Sequence, residues 1–124
     1  MGSEWIIEKD MVDYLNKTIG MKAFLELAPE NAKEPFSVLT GITSGAVRPL
    51  SFFRPTFQLD IFEKTPEKAI MAAERIILLL NGSDAGYGST LFDSMRLERA
   101  RLIRVEDGTW KVPIEITANC IRRK

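Results

Sequence analysis

Thr56-Phe57-Gln58-Leu59-Asp60-Ile61-Phe62 is the stretch on which the fold turns. Phe57, Leu59 and Ile61 alternate with Gln58 and Asp60, which predicts a strand with one apolar and one polar face. Just beyond it, Thr65-Pro66-Glu67 has the makings of a helix start. A hydroxyl can cap the first turn, proline at the first helical position loses no hydrogen bond, and an acid suits the positive end of the helix dipole. Ala69, Ile70, Ala73, Ile76, Ile77 and Leu80 then form a wide apolar stripe, and Asn81-Gly82 ends it. So wide a stripe needs a broad surface to cover it. Residues 66–80 are therefore expected to be a central helix lying on one face of a sheet.

Working outward, Ile7, Met11, Tyr14, Leu15 and Ile19 recur at helical spacing, with Glu8, Lys9, Asp13, Asn16 and Lys17 on the other face. They predict an N-terminal helix from a Ser3 cap to about Thr18, stopped by Gly20. Residues 22–27 and 36–43 read as strands, the second interrupted by Gly41, with a loop between them at 28–35. Residues 44–55, with Gly45, Pro49 and Pro55, read as a second loop, which contains Phe52 and Phe53. Residues 81–94, rich in glycine and small polar residues, read as a mobile connection. At the C-terminus, Asp107-Gly108 separates two β-rich runs, 97–105 and 110–122, which signals a hairpin. Trp110, Val112, Ile114, Ile116, Ala118 and Cys120 share one face of the last strand. The expected fold class is α+β: one domain over residues 1–124, a mainly antiparallel sheet with the central helix on one face and the N-terminal helix beside it.

Composition narrows the chemistry. The 124 residues include no histidine, which removes the commonest general base and the commonest metal ligand. The single Cys120 permits no internal disulfide, and with no histidine it leaves no zinc site built from those two residue types. No window approaches the roughly 20 apolar residues a membrane span requires. Glu4, Glu8 and Asp10 stand where a signal peptide would need bases and then an unbroken apolar run, so a cytoplasmic protein is expected. Charge balances overall but not along the chain. Residues 1–43 carry seven acids and four bases, net −3, and residues 94–124 carry eight bases and four acids, net +4. An acidic front and a basic end suit complementary surfaces on neighbouring copies, or mutual neutralisation within one copy.

The motifs that invite a catalytic reading each lack a necessary part. Gly82-Ser83-Asp84-Ala85-Gly86-Tyr87-Gly88-Ser89-Thr90 is glycine-rich like a phosphate loop, yet Gly88 stands where the lysine should be and the segment follows a helix. Glu26, Glu30 and Glu34 recur every fourth residue, but Pro29 breaks any helix that would align them. Asp60 and Glu63 fall on opposite faces of their strand and cannot pair as acid and base. Cys120, on an apolar face, reads as a buried structural thiol. No catalytic residue, cofactor site or metal site is expected, and the chain reads as a non-enzyme. Arg99 and Arg101 alternate in phase with Leu97, Ile103 and Val105, mixing guanidinium with apolar groups on one face. That composition suits a subunit interface, to which Phe52, Phe53, Arg122 and Arg123 are added as candidate contacts. Aromatics interleaved with the bases for nucleobase stacking are missing, which argues against sequence-specific nucleic-acid recognition.

The order of elements resembles that of a known group. The run 55–62, with Gln58-Leu59-Asp60, leads through Thr65-Pro66-Glu67 into a helix of small and aliphatic residues ending at Leu80-Asn81-Gly82, and a closing hairpin follows. This is similar to the small tail-terminator, tail-completion and minor capsid proteins of tailed bacteriophages. The resemblance implies a structural virion protein made in the host cytoplasm. It implies a ring of copies, often six, at the head–tail junction, with the tail tube and head-completion proteins as partners. DNA would pass through the lumen and meet basic groups without sequence readout. The alternative is a small ligand-binding or regulatory module that recognises a ligand on the sheet face away from the central helix, with a pocket lined by Phe52, Phe53 and Phe57.

Overall fold

In the computed structural model the backbone is described for residues 3–43, 46–47, 52–105 and 107–122, and side chains for 6–41, 54–105 and 107–121. The elements are α1 (Ser3–Thr18), β1 (Lys22–Leu25), β2 (Phe36–Thr43), β3 (Ala46–Val47), β4 (Phe52–Phe53), β5 (Thr56–Glu63), α2 (Pro66–Leu80), β6 (Ala85–Tyr87), β7 (Thr90–Arg99), β8 (Ile103–Arg104) and β9 (Trp110–Arg122). The fold is α+β, with a mixed, mostly antiparallel sheet; the β1–β2 pair alone among those described is parallel.

β9 is the spine of the sheet. One side pairs with β5 over residues 110–117 and with β4 at 120–121. The other side pairs with β7 over 114–122 and with β8 at 110–111. β2 and then β1 extend the sheet beyond β5, and β6 extends it beyond β7. Val112, Ile114, Ile116, Ala118 and Cys120 are all buried, so the period-two pattern of the closing strand describes its inner face. β5 alternates likewise: Phe57, Leu59 and Ile61 are buried, while Gln58, Asp60 and Phe62 face outward.

α2 begins as its sequence dictates. The Thr65 side chain accepts a hydrogen bond from the Lys68 N–H at 3.2 Å, and Pro66 opens the helix. Ala69, Ala72, Ala73, Ile76 and Leu80 are its buried face, packed against β5, β7 and β9. Three alanines on that face let the helix axis approach the sheet closely. α1 packs on β1 and β2 at one side of the sheet and on β6 at the other, so the sheet curls around it. Ile7, Met11, Leu15 and Ile19 complete one continuous core with the inner faces of the strands. Asn16 does more than face solvent. Its side-chain amide donates to the Ala23 carbonyl and accepts from the Ala23 N–H, at 3.0 and 2.8 Å, in the manner of a strand partner. This fills part of the free edge of β1, an edge otherwise open to pairing with another chain.

Two sequence readings are corrected. Residues 81–94 are not a mobile connection: they contain β6 and the start of β7, a hairpin turning at Gly88-Ser89. The start of this segment is tied to a bulge in β7, where Gly82 N–H donates to the Met95 carbonyl and Met95 N–H to the Ser83 carbonyl, at 2.6 and 3.0 Å. Likewise 97–105 is not one strand. β7 ends at Arg99, and the register against β9 moves by one residue before β8, from Arg99–Ile114 to Ile103–Lys111. That shift sends Ile103 to the outer face with Lys111, so Leu97, Arg99, Ile103 and Val105 do not share one face.

Cys120 is buried, and burial pushes its thiol up to about 12 from the ordinary 9.0. The thiolate is the reactive form, so the folded protein is expected to resist thiol reagents at pH 8 and the unfolded chain to react at once. The thiol's contribution to stability is present in full below pH 9, because only the unfolded state ionises first. It is lost progressively as pH rises from 9 to about 12. Thiol titration of native and denatured protein checks the first expectation; fast labelling of the native state removes it.

Candidate assembly interface

The glycine-rich turn is closed to phosphate by an acid from the other end of the chain. Asp10 of α1 is buried, and its Oδ2 accepts from the Ser89 N–H at 3.0 Å, the Ser89 hydroxyl at 3.3 Å and the Thr90 hydroxyl at 2.7 Å. Gly88 has φ +59°, and a Cβ there would collide with the Asp10 carboxylate. The donors that an anion would seek are thus already spent on a carboxylate, which would also repel it. The segment is a clasp between α1 and the β6–β7 hairpin.

The sequence-predicted contact residues do not form one patch. Phe52 and Phe53 form β4 and pair by backbone with Ile121 and Cys120, beside Arg122 at the end of β9. The side chains of Phe52, Phe53 and Arg122, and the whole of Arg123, lie outside the described residues. Arg99 is opposite Ile114, and Arg101 follows in the connection to β8; both are exposed. Ile114 and Arg122 are eight residues apart on β9, or ~27 Å at ~3.4 Å per residue, so the two groups sit toward opposite ends of the sheet. Phe57, the third side chain of the alternative pocket, is in the core at 1% exposure.

What sequence reasoning passed over is the row of aromatics on the outer, helix-free face, the face it assigns only to a ligand pocket. An antiparallel sheet with one solvated side ordinarily alternates apolar inward and polar outward. Here one end of the outer face is aromatic. Phe36 and Phe62 are register partners whose rings stack 4.8 Å apart at 15°, and Phe24 meets Phe36 edge-on at 6.1 Å. All three are only partly buried. Lys22 pairs with Phe36 on one side and Lys111 with Phe62 on the other, making a row Lys22–Phe36–Phe62–Lys111 across β1, β2, β5 and β9. Ile103, 40% exposed, extends the row beyond Lys111. The Lys111 ammonium is 3.9 Å from Asp60, which also accepts from Gln58 at 2.9 Å. The signal was present in β5, where Phe62 has the same parity as Gln58 and Asp60.

The other end of the outer face is polar. Glu98 lies directly opposite Glu115, and Gln58 is Glu115's partner on the far side. Arg54, hydrogen-bonded to Asn119 at 3.0 Å, and Arg96 line the same shallow groove as these two acids. Like charges facing across a ladder are destabilising by themselves, so this end is a weak contributor to stability. On the opposite side of the domain, α2 exposes Met71 at 70% and Leu78 at 85%. Among the described residues no group of three or more acidic or cysteine side chains could hold a metal, and no helix is long and apolar enough to cross a membrane.

No family model matches this chain, and no curated protein matches it. Solved structures do share its fold. One chain, 14% identical, superposes with a TM-score of 0.64 and is matched over 100% of this chain and 99% of its own length. A chain from the virion of a native gene transfer agent particle, also 14% identical, superposes with a TM-score of 0.58 over 86% of this chain and 84% of that one. These likenesses establish that the helix-and-curled-sheet fold is a shared one, since it is retained at an identity where side chains no longer correspond.

Proposed function

We propose that this chain is a structural virion protein, an assembly part and not an enzyme, that acts as a tail terminator in a ring of copies at the head–tail junction. The observation that carries the reading is that the fold of 86% of the chain, not an isolated motif, is like that of a chain of a virion particle. The surface supports it. The helix-free face is apolar and aromatic at one end, which suits burial against another protein. The clasped hairpin holds β7, with Arg96, Glu98 and Arg99, in a fixed position from which to meet a partner. In this reading the neighbours are further copies of the chain, the tail tube and head-completion proteins. DNA crossing the lumen would meet exposed arginines electrostatically, whatever its sequence. The protein would be made in the host cytoplasm and end in the virion.

Immunogold labelling of particles purified from cells that carry the gene tests this reading. Label is expected at the junction of head and tail. Particles free of the chain would remove the virion role, and label along the tail or over the head would remove the terminator role alone.

A further inference from the structure

The outer side of α2 is patterned as well as exposed. Glu67, Met71, Glu74 and Leu78 follow one another at spacings of four, three and four, which places them on one stripe along the helix. All four are exposed. Among the neighbouring cations, the Arg75 guanidinium turns against Gly20, and Lys68 lies one residue round the helix, so acid and apolar groups alternate along the stripe itself. Glu67 and Glu74 are seven residues apart, ~10.5 Å along the axis at ~1.5 Å per residue.

The aromatic row on the far side of the domain has the matching pattern. Its two lysines flank two stacked phenylalanines and are three strand spacings apart, ~14 Å at ~4.8 Å each. Lysine stems are flexible enough to close the difference: the Lys22 ammonium now lies over the Phe24 ring at 5.7 Å and the Lys111 ammonium 3.9 Å from Asp60, and each can swing toward an incoming acid. A helix laid along this row puts Met71 against the phenylalanine rings and an acid near each lysine. Methionine against aromatic rings is a favourable contact, and burial of the pair would desolvate the charges that frame it.

We propose that the Glu67–Met71–Glu74–Leu78 stripe of one copy docks on the Lys22–Phe36–Phe62–Lys111 row of the next. The two patches are different surfaces on opposite sides of one domain, so the contact is head-to-tail and propagates, closing where the rotation allows. It rests on the ring reading above and names the surfaces that form it. Helix-on-sheet is also the packing each copy uses internally, where the other side of α2 lies on the inner face of β5, β7 and β9.

Paired charge reversal tests the geometry. The Glu67→Lys/Glu74→Lys variant and the Lys22→Glu/Lys111→Glu variant are each expected to lose self-association, by about a hundredfold in dissociation constant, through like charges brought together. Mixed one to one they are expected to assemble again, because each helix now finds a sheet row of opposite charge in the other variant. Sedimentation velocity reads all three samples, and circular dichroism confirms that each variant is folded. As a second arm that leaves the Met71 and phenylalanine anchors and all four charges in place, Leu78→Cys and Ile103→Cys proteins are oxidised alone and together, since Leu78 falls on Ile103 when Glu74 meets Lys111; buried Cys120 does not compete. A disulfide in the mixture and in neither single sample is expected. Absence of the mixed disulfide, or Leu78→Cys linking to itself, overturns the pairing. That result is separate from the labelling experiment: a chain present at the junction with no mixed disulfide would keep the virion role and reject these surfaces.

Discussion

Asp10→Ala is expected to destabilise the fold by about 2–4 kcal/mol, out of the 5–15 kcal/mol typical of a domain. The carboxylate lies where α1 meets the turn of the β6–β7 hairpin, and it accepts from three donors. Alanine removes the acceptor and leaves the Thr90 hydroxyl buried, with Thr90 only 2% exposed. An unmet buried donor costs about 1–3 kcal/mol, more than the net gain from an ordinary hydrogen bond, so the loss is set by what is left behind. Urea unfolding measures it, and hydrogen exchange locates it. The Ser89 amide should lose its protection ahead of the amides of β5 and β9. A variant within about 0.5 kcal/mol of the parent would mean that the hairpin is held by its strand pairing alone. Asp10→Asn should recover part of the loss, because it keeps one acceptor oxygen but adds donors to a site already full of them.

The same residue shows what the sequence could and could not disclose. Asp10 follows Ile7 by three and precedes Tyr14 by four, so helical spacing puts it beside the apolar stripe, whereas Lys9 and Asp13 pair at 2.8 Å on the exposed side. Position alone therefore hinted at burial. The partner is 79 residues away in sequence, and nothing local to either segment announces that contact. α2 was legible to the residue, from the Thr65 cap to the Asn81-Gly82 stop, because caps and stops are local chemistry. The inner faces of β5 and β9 were legible because period two is local as well. The β6–β7 hairpin was hidden behind its glycines: glycine is as common in loops as in tight turns, and the turn of this hairpin is held partly by an acid from α1. The break after Arg99 was equally hidden, since a one-residue register shift changes which face a side chain occupies without changing composition. This is why strict alternation misplaces the arginine-bearing face, and why the aromatic outer face exists only in the register of β1, β2, β5 and β9. Phe24, Phe36 and Phe62 come from three separate strands, and only the register puts them together.

Phe57→Ala should cost about 3–5 kcal/mol, the range for emptying a fully buried aromatic site. Phe57 is on the inner face of β5, between Gly41 of β2 and Ile116 of β9, and it is among the largest fully buried side chains of the core. Gly41 offers no side chain to fill the space, and the strands on either side are held by their ladders, so little collapse can offset the cavity. A residue that lined a ligand pocket would behave otherwise: its removal would weaken binding and leave the fold nearly as stable. Phe62, five residues on and outward-facing, provides the internal control. Its loss removes the stacking contact with Phe36, about 1 kcal/mol, and no core volume. Phe62→Ala should therefore unfold near the urea midpoint of the parent yet fail to self-associate, while Phe57→Ala at low temperature should be much less stable and, where still folded, associate normally. Two aromatic residues on one strand thus separate the two energies that matter. One face of β5 holds the chain together, and the other is kept apolar at a cost in solubility that only a partner can justify. If Phe62→Ala proved as destabilising as Phe57→Ala, the outer aromatics would be a second core, and the head-to-tail contact would lose its sheet-side surface.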